Sequence, residues 1–480
     1  MTTPAERSRW VALYVLCTGM LMIVLDVTVV NVALPSIQTD LKFSASALAW
    51  VVNAYLVAFG GLLLLAGRLG DLVGRRRIFL IGLGLFTAAS LVCGLAQNEW
   101  TLVAARFVQG AGGALTSSVI LGVIVTMFTE PREQAKAIGV FAFVASAGGA
   151  VGLLAGGAIT QSINWHWIFV INVPIGAATA LLARRYVVAD RPEPGSGGVD
   201  VIGAALITFA LMIGVFTIVK PAAEDGWSSA KTLAFAAVST ALLVSFVVHE
   251  SKAAVPLMPL HIFASRNVAG ANVIQMLGAA GMFGMFFLGA LYVQKVLHYD
   301  PLHVGLAFLP VCVVMGVISV RHSDRLVARF GARHLATTGL TLNAAALALL
   351  VLTPSHADYW TSLFAPMTLM GVGAGVAFPP LMGLAMSGVN AEFAGLASGV
   401  INTTAQVGGA FGLAVLATLS SARSNALEAA GHSEAAALTS GYHVGFALSA
   451  GLVLCAVVVS ALVLEPVPTA DETDPDLVPA

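Results

Sequence analysis

An all-α integral membrane fold with fourteen transmembrane helices is what this sequence predicts. Of its 480 residues, 58% are hydrophobic and 10% charged, with a mean hydropathy of +0.91. Soluble domains carry about 25% charged residues, so no water-soluble core accounts for this balance. Apolar runs of roughly 20 residues, the length that crosses a bilayer, recur between short polar stretches. Lysine and arginine crowd into every second connection.

The first run, 10–34, is too long for the apolar part of a cleavable leader and lacks a small-residue cleavage site, so it is expected to be retained. Runs at 46–66 and 78–97 flank GRLGDLVGRRR, residues 67–77, which reads as a loop. Runs at 102–127, 137–160 and 166–188 complete a first set of six. ADRPEPGSGGVD, 189–200, rich in Pro, Gly and charge, reads as a flexible linker. Two further runs follow, at 199–219 and 231–249. PLMPLHIF, 256–263, is apolar but too short to span, and suits a segment lying along the membrane face. A second set of six lies at 268–293, 303–322, 334–352, 359–385, 394–420 and 443–464. The acidic, Pro-rich tail is expected to be disordered.

A repeat divides the chain. DRLVARFGARH, 324–334, aligns without gaps on 67–77, matching Arg68 with Arg325, Leu69 with Leu326, Gly74 with Gly331 and Arg76 with Arg333. Asp71 meets Ala328. Internal repeats of this kind mark duplicated transporters. The expected units are a six-helix bundle in 1–190, a linker with two extra helices in 191–258, a second six-helix bundle in 259–466 and a tail in 467–480. Of the 23 Lys and Arg, seventeen fall on the side of the N-terminus and five (Lys42, Lys220, Lys231, Lys295, Arg423) on the other, with Arg106 inside a span. Basic loops stay inside. A multi-pass protein of the plasma (inner) membrane with both termini cytoplasmic is therefore expected.

Several chemistries are absent. Cys17, Cys93, Cys312 and Cys455 all fall within spans, without metal-like spacing, and read as small packing residues. No metal site is expected. No lysine follows a glycine, so there is no Walker A loop to bind nucleotide. Work of any kind must draw on a gradient.

LDVTVVNVALP, 25–35, places Asp26 inside an apolar run, where an ionised carboxylate costs several kcal/mol and usually faces a cavity or a partner. An acid in a cavity that is alternately wet and dry can gain and lose a proton. Asp26 is thus a candidate proton carrier or counter-ion for a cationic substrate, the alternative being a structural acid bonded to a neighbouring helix. Asn31, about 140° round the helix, reads as an interhelical hydrogen-bonding residue. RFVQGAGGALTSS puts Arg106, Gly110, Gly113 and Ser117 on one face. Close approach at the glycines turns Arg106 inward, where its fixed charge favours the ionised form of a nearby carboxylate. Snorkelling to the outer interface is the alternative. Gly148, Gly152 and Gly156, with Gly149 and Gly157 beside them, form a groove for a close helix, either static or sliding. Asp71, Arg75 and Arg76 are placed to pair across helix ends. Pro379 and Pro380 break backbone hydrogen bonds within a span and predict a bend at a cavity. Met276, Met282, Phe286 and Gln406 are further cavity candidates, with ordinary lipid-facing or core roles as the alternative.

These stretches, with NWHWIFVINVPIG at 164–176 and AGLASGVINTTAQVGGAFGLAVLAT at 394–418, resemble the fourteen-helix drug/proton antiporters of the major facilitator superfamily (EmrB/QacA type). The resemblance implies two six-helix bundles related by a pseudo-two-fold axis, two inserted helices, and alternating access. It further implies efflux of amphipathic small molecules, hydrophobic or cationic, driven by proton influx and giving drug resistance. It assigns proton coupling to Asp26 and Arg106, with Gln109 and Gly110 in the same motif. Gating falls to the stretch containing Gly67, Asp71, Gly74, Arg75 and Arg76, and the antiporter helix to Gly139, Gly148, Gly152, Gly156 and Gly157. Leu153, His166 and Ala405 stand where the family often has proline, arginine and arginine. The partners implied are protons, a small molecule and the bilayer, with no nucleic acid, no cofactor and no enzymatic activity. A dedicated exporter of one endogenous metabolite, an uptake symporter and a non-transporting membrane sensor are the competing readings.

Overall fold

Six of the helices begin at a capping side chain. Asn98, Asp200, Ser229, Ser265, Asp300 and Ser433 each accept a hydrogen bond from a backbone N–H in the first turn that follows. The computed structural model describes residues 4–44, 46–188, 200–254, 256–258, 260–386 and 394–465. Most of the expected linker and the whole acidic tail lie outside the described residues.

The first helices are α1 (Pro4–Leu41), α2 (Trp50–Val73), α3 (Arg75–Gly94), α4 (Glu99–Met127), α5 (Pro131–Ser162), α6 (Trp167–Val170) and α7 (Asn172–Tyr186). Between the two sets come α8 (Val201–Val219), the single turn α9 (Pro221–Glu224) and α10 (Ala230–Glu250). The remainder are α11 (Arg266–Leu291), α12 (Pro301–Arg321), α13 (Ser323–Phe330), α14 (Ala332–Leu350), α15 (Phe364–Met386), α16 (Ala394–Ala429) and α17 (Glu434–Val463). No strand occurs among the described residues. Twelve helices among them are long and apolar enough to cross a membrane. α5 and α14, of 32 and 19 residues, stand outside that twelve and occupy the places of the fifth and eleventh expected spans.

The packing repeats helix for helix. α1 lies on α5 and α7, α2 on α4, and α3 on α4 and α7; correspondingly α11 lies on α16 and α17, α12 on α15, and α14 on α15 and α17. The two sets meet where α5 packs on α12 and, equivalently, α16 on α2. The inserted α8 and α10 pack together, with α8 lying against both α2 and α16. Side chains obey the same symmetry. Arg76 at the start of α3 donates to the Arg184 carbonyl near the end of α7, and Arg333 at the start of α14 donates to the Ala461 carbonyl near the end of α17. In each case a cation meets the negative end of a helix.

One expectation needs correction. Residues 67–77 are not a loop: Gly67 and Asp71 lie in the last turns of α2, and Gly74 alone, at φ 104°, separates α2 from α3. Only glycine adopts that backbone freely. Asp71's side chain is outside the described residues. In the second copy Gly331, at φ 78°, plays the same part, but the preceding turns form a separate helix, α13, after a break at His322. The sixth span runs through α6 and α7 with the backbone of Ile171 still α-helical (φ −58°, ψ −26°); only the hydrogen bonding lapses there, since Pro174 has no N–H to give to the carbonyl four residues earlier. Residues 260–264 form a short 3-10 turn, in which Ile262 packs with Val268 and Val400.

In lipid there is little hydrophobic drive between helices, so van der Waals contact at small residues holds the seams. Gly148, Gly152 and Gly156 seat α1, whose Leu21, Val24, Thr28 and Val29 fill the space a side chain would take. Gly408 and Gly412 seat Met276 and Ala280 of α11 in the same way. On the neighbouring stripe Gly157 meets Pro301 and Leu302, and Gly305 meets the Leu153 carbonyl, so α5 and α12 close almost backbone to backbone. Leu153 is buried. Within the first set a Cβ at Gly82 would lie 2.6 Å from the Thr116 nitrogen, whereas one at Gly84 meets nothing within 4 Å. Gly82→Val should therefore cost at least the ~1–3 kcal/mol typical of overpacking and lower the midpoint of thermal unfolding in detergent. Gly84→Val, two residues away, should leave the midpoint unchanged within error.

Candidate functional site

The acid in LDVTVVNVALP finds its partner on α4. Arg106 Nη1 donates to Asp26 Oδ2, and both side chains are only 1% exposed. A lone ion buried here would cost several kcal/mol, and attraction between the pair compensates only if the remaining donors and acceptors are satisfied. They are drawn from four helices. Arg106 Nη1 also donates to Gln109 Oε1 at 2.6 Å, and Arg106 Nε to the Val51 carbonyl at 2.9 Å. Gln109 Nε2 donates to Asp26 Oδ1 at 2.6 Å and to Ser90 Oγ at 2.8 Å. Ser90 Oγ in turn donates to the Phe86 carbonyl at 2.7 Å. Asn172 Nδ2 approaches Asp26 Oδ1 at 3.5 Å, a long contact.

Every group facing Asp26 is a donor. Its two oxygens accept from Arg106, Gln109 and Asn172, which is the acceptor set of an ionised carboxylate. The guanidinium is covered by the Tyr55 ring at 4.5 Å and the Phe169 ring at 5.7 Å. Such faces attract a cation and exclude water.

Local sequence explains the assembly. Arg106 and Gln109 are one turn apart on α4 and so share a face. A Cβ at Gly110 would clash with the Tyr55 carbonyl, and one at Gly112 would lie 2.5 Å from the Phe86 nitrogen. These glycines draw the α2 and α3 backbones onto α4, bringing the Val51 carbonyl and Ser90 within reach. The restart of the helix at Asn172 sets that amide at the head of α7.

Snorkelling by Arg106 is overturned: the side chain is sealed inside, held by three helices. Ser90, Asn172, Tyr55 and Phe169 are site residues that pattern reading missed. Asn172 lies within NWHWIFVINVPIG and Gln109 within RFVQGAGGA, so only the fold reveals that they meet. Cys93, read as plain packing, sits with Sγ 3.7 Å from Gln109 Oε1. Cys455 is exposed on α17 rather than packed. The NWHW stretch anchors the other end of α1, since Trp165 Nε1 donates to Asp40 Oδ2 at 2.9 Å.

The remaining candidates stand apart. Arg75 Nη1 donates to the Gly122 carbonyl at 3.3 Å, its guanidinium lying where a Gly122 side chain would be. Asn31 Nδ2 bonds back to the Val27 carbonyl of its own helix at 3.1 Å. Phe286 stacks on Phe308 with centroids 5.5 Å apart. Met276 is partly exposed, Met282 half-buried, and α15 continues through Pro379 and Pro380. Gln406 faces Gly60 across the α2–α16 seam and leaves Oε1 without a partner, as Asn53 on the same face of α2 leaves both amide atoms. Two surface grooves, of about 360 and 510 Å³, lie between α1 and α7 and beside α12 and Trp360; none of these candidates lines them.

The second set has no counterpart to the ion pair among the described residues. Its interior offers the neutral Asn272, which accepts from Thr404 at 2.9 Å, and Asn343, buried beside Gly373.

A duplicated bundle of spanning helices with a sealed ionic network in one half defines a membrane transporter. The chain belongs to the Major Facilitator Superfamily, whose sequence pattern matches residues 16–413. It is 39% identical over 475 residues to the puromycin resistance protein of Streptomyces alboniger, covering 98% of this chain and 94% of that one. The cephamycin export protein of Amycolatopsis lactamdurans is 38% identical over 87% of this chain and 86% of its own length. The tetracenomycin C resistance and export protein of Streptomyces glaucescens is 34% identical over 88% and 78%. Among solved structures, the POT family transporter PepTSo superposes with a TM-score of 0.70 over 96% of this chain and 98% of that one, at 14% identity. An inward-facing bacterial homologue of the lysosomal transporter Spinster gives 0.65 over 96% and 98%, at 17%. Both speak to the fold alone.

Removing one ion should hurt more than removing both. Arg106→Met alone should destabilise by about 3–5 kcal/mol, leaving Asp26 uncompensated, while Asp26→Leu with Arg106→Met should recover most of the loss. A double-mutant cycle of thermal unfolding checks this.

Proposed function

We propose that the protein exports amphipathic small molecules from the cell in exchange for protons, with Asp26 as the proton-binding residue. The observation that carries the reading is the closed donor set around Asp26. A protonated carboxyl would need an acceptor for its own hydrogen, whereas Arg106, Gln109 Nε2 and Asn172 Nδ2 all donate to it here, so proton binding requires this network to rearrange. In this reading proton uptake loosens α1 from α4 and release draws them together, the Arg106 charge favouring release. Because α1 rests on α5 through its glycine stripe, and α5 meets α12, such a movement reaches the seam between the sets. That links protonation to alternating access. In this reading the fourteen spans form two bundles, 1–190 and 259–466, with an inserted pair between, and the chain sits in the plasma membrane with cytoplasmic termini. The basic-residue asymmetry supports that placement. Arg75 and Arg76 hold the ends of α4 and α7 as part of the gate. Unpartnered amide atoms of Asn53 and Gln406 on the α2–α16 seam are available to substrate.

A narrower reading has its own support. Three relatives at 34–39% identity are each named for a single antibiotic or antibiotic class, which favours a dedicated exporter of one endogenous metabolite over a broad one.

Cells expressing the protein should expel its substrate, and a protonophore should stop them. Asp26→Asn should reach the membrane yet efflux no faster than uncoupled wild type; efflux by this variant at the coupled rate refutes the assignment. Resistance assays with puromycin, a cephamycin, tetracenomycin C and lipophilic cations separate breadth: protection against one class alone favours the dedicated exporter.

A further inference from the structure

The inserted helices meet at the end where α8 begins and α10 ends. Asp200 caps α8, its Oδ1 accepting the Gly203 N–H at 2.7 Å and standing 2.8 Å from His249 Nε2. Glu250, the last residue of α10, accepts the Met258 N–H on Oε2 at 3.0 Å. Each carboxylate thus spends one oxygen on a donor. The other two, Asp200 Oδ2 and Glu250 Oε1, are buried and meet no donor among the described residues. They face the same space: a Cβ on Gly203 would lie 2.6 Å from the first and 2.7 Å from the second, and the two side chains are within hydrogen-bonding reach of each other. The Asp200 side chain is 7% exposed and Glu250 3%. His249 is the other titratable group beside them, and it is turned to Asp200 Oδ1. No group of three His, Cys, Asp or Glu placed to hold a metal ion occurs among the described residues.

Two buried carboxylate oxygens that present only lone pairs to each other repel. One proton turns the repulsion into an O–H···O⁻ bond, among the strongest hydrogen bonds proteins make. Facing carboxylates titrate as a unit that shares a proton. We propose that Asp200 and Glu250 form a second proton-binding site, holding one proton between Asp200 Oδ2 and Glu250 Oε1. That proton ties the start of α8 to the end of α10 and, through the Met258 N–H, to the segment leading into α11. The site is separate from Asp26 and stands whether or not Asp26 carries protons in transport.

The test uses full-length protein in detergent with Asp26→Asn, which removes the other deeply buried acid among the described residues. Infrared difference spectra across a pH titration should show one protonated-carboxyl C=O band per chain, shifted in D2O and replaced by carboxylate absorption at alkaline pH. Glu250→Gln, whose amide can donate to Asp200 in place of the proton, should remove the band, as should Asp200→Asn. Glu465→Gln, on an exposed acid, should leave it. Absence of the band in Asp26→Asn at every pH where the protein stays monodisperse overturns the proposal, and so does its survival in Glu250→Gln or Asp200→Asn.

Discussion

The pairing of Asp26 with Arg106 sets the terms for the first half of the molecule. Two opposite charges at this depth are tolerable only when water is kept out and every hydrogen-bonding position is met. The surrounding helices supply the cover and the partners described above. Gly110 and Gly112 admit two backbones, Tyr55 and Phe169 roof the guanidinium, and Gln109 uses its carbonyl and both amide hydrogens at once. The sixth span delivers Asn172 to the carboxylate.

The second half repeats the architecture without a buried ion pair among its described residues. α11, α14 and α15 take the places of α1, α3 and α4, and the arginine at the head of the third helix closes on the sixth in both halves. Duplication has preserved the frame, while the interior has diverged to neutral amides and hydroxyls. Ionic chemistry thus sits on one side of the seam, so a change of charge there biases the two halves unequally rather than opening both alike.

Much of this was legible in the chain. Hydropathy marked the spans because a bilayer rewards uninterrupted apolar length, and Asp26 and Arg106 stood out because nothing else deep in those runs is charged. The repeat around Gly74 and Gly331 was visible because glycine at positive φ is hard to replace. Legibility failed where identity and role are uncoupled. Ser90 resembles any helical serine that bonds to its own backbone, and it does that too. Asn172 is 146 residues from Asp26, and no local periodicity reports such a contact. Residues 67–73 read as a loop because charge and glycine are loop signals, whereas here they continue a helix beyond its apolar stretch. Asp200 and Glu250 flank the inserted pair 50 residues apart, and only the hairpin between them brings their carboxylates face to face.

The glycines at the seams have one more consequence. Glycine has no smaller neighbour in the amino-acid alphabet, so each change at Gly110, Gly112, Gly157 or Gly305 adds atoms where a backbone already stands. Drift at these positions is one-sided: they are kept or the seam opens. Gly84 and other glycines facing open space carry no such constraint. The chain's freedom to vary is therefore partitioned by geometry rather than by chemistry, and new specificities have to arise from side chains between the seams.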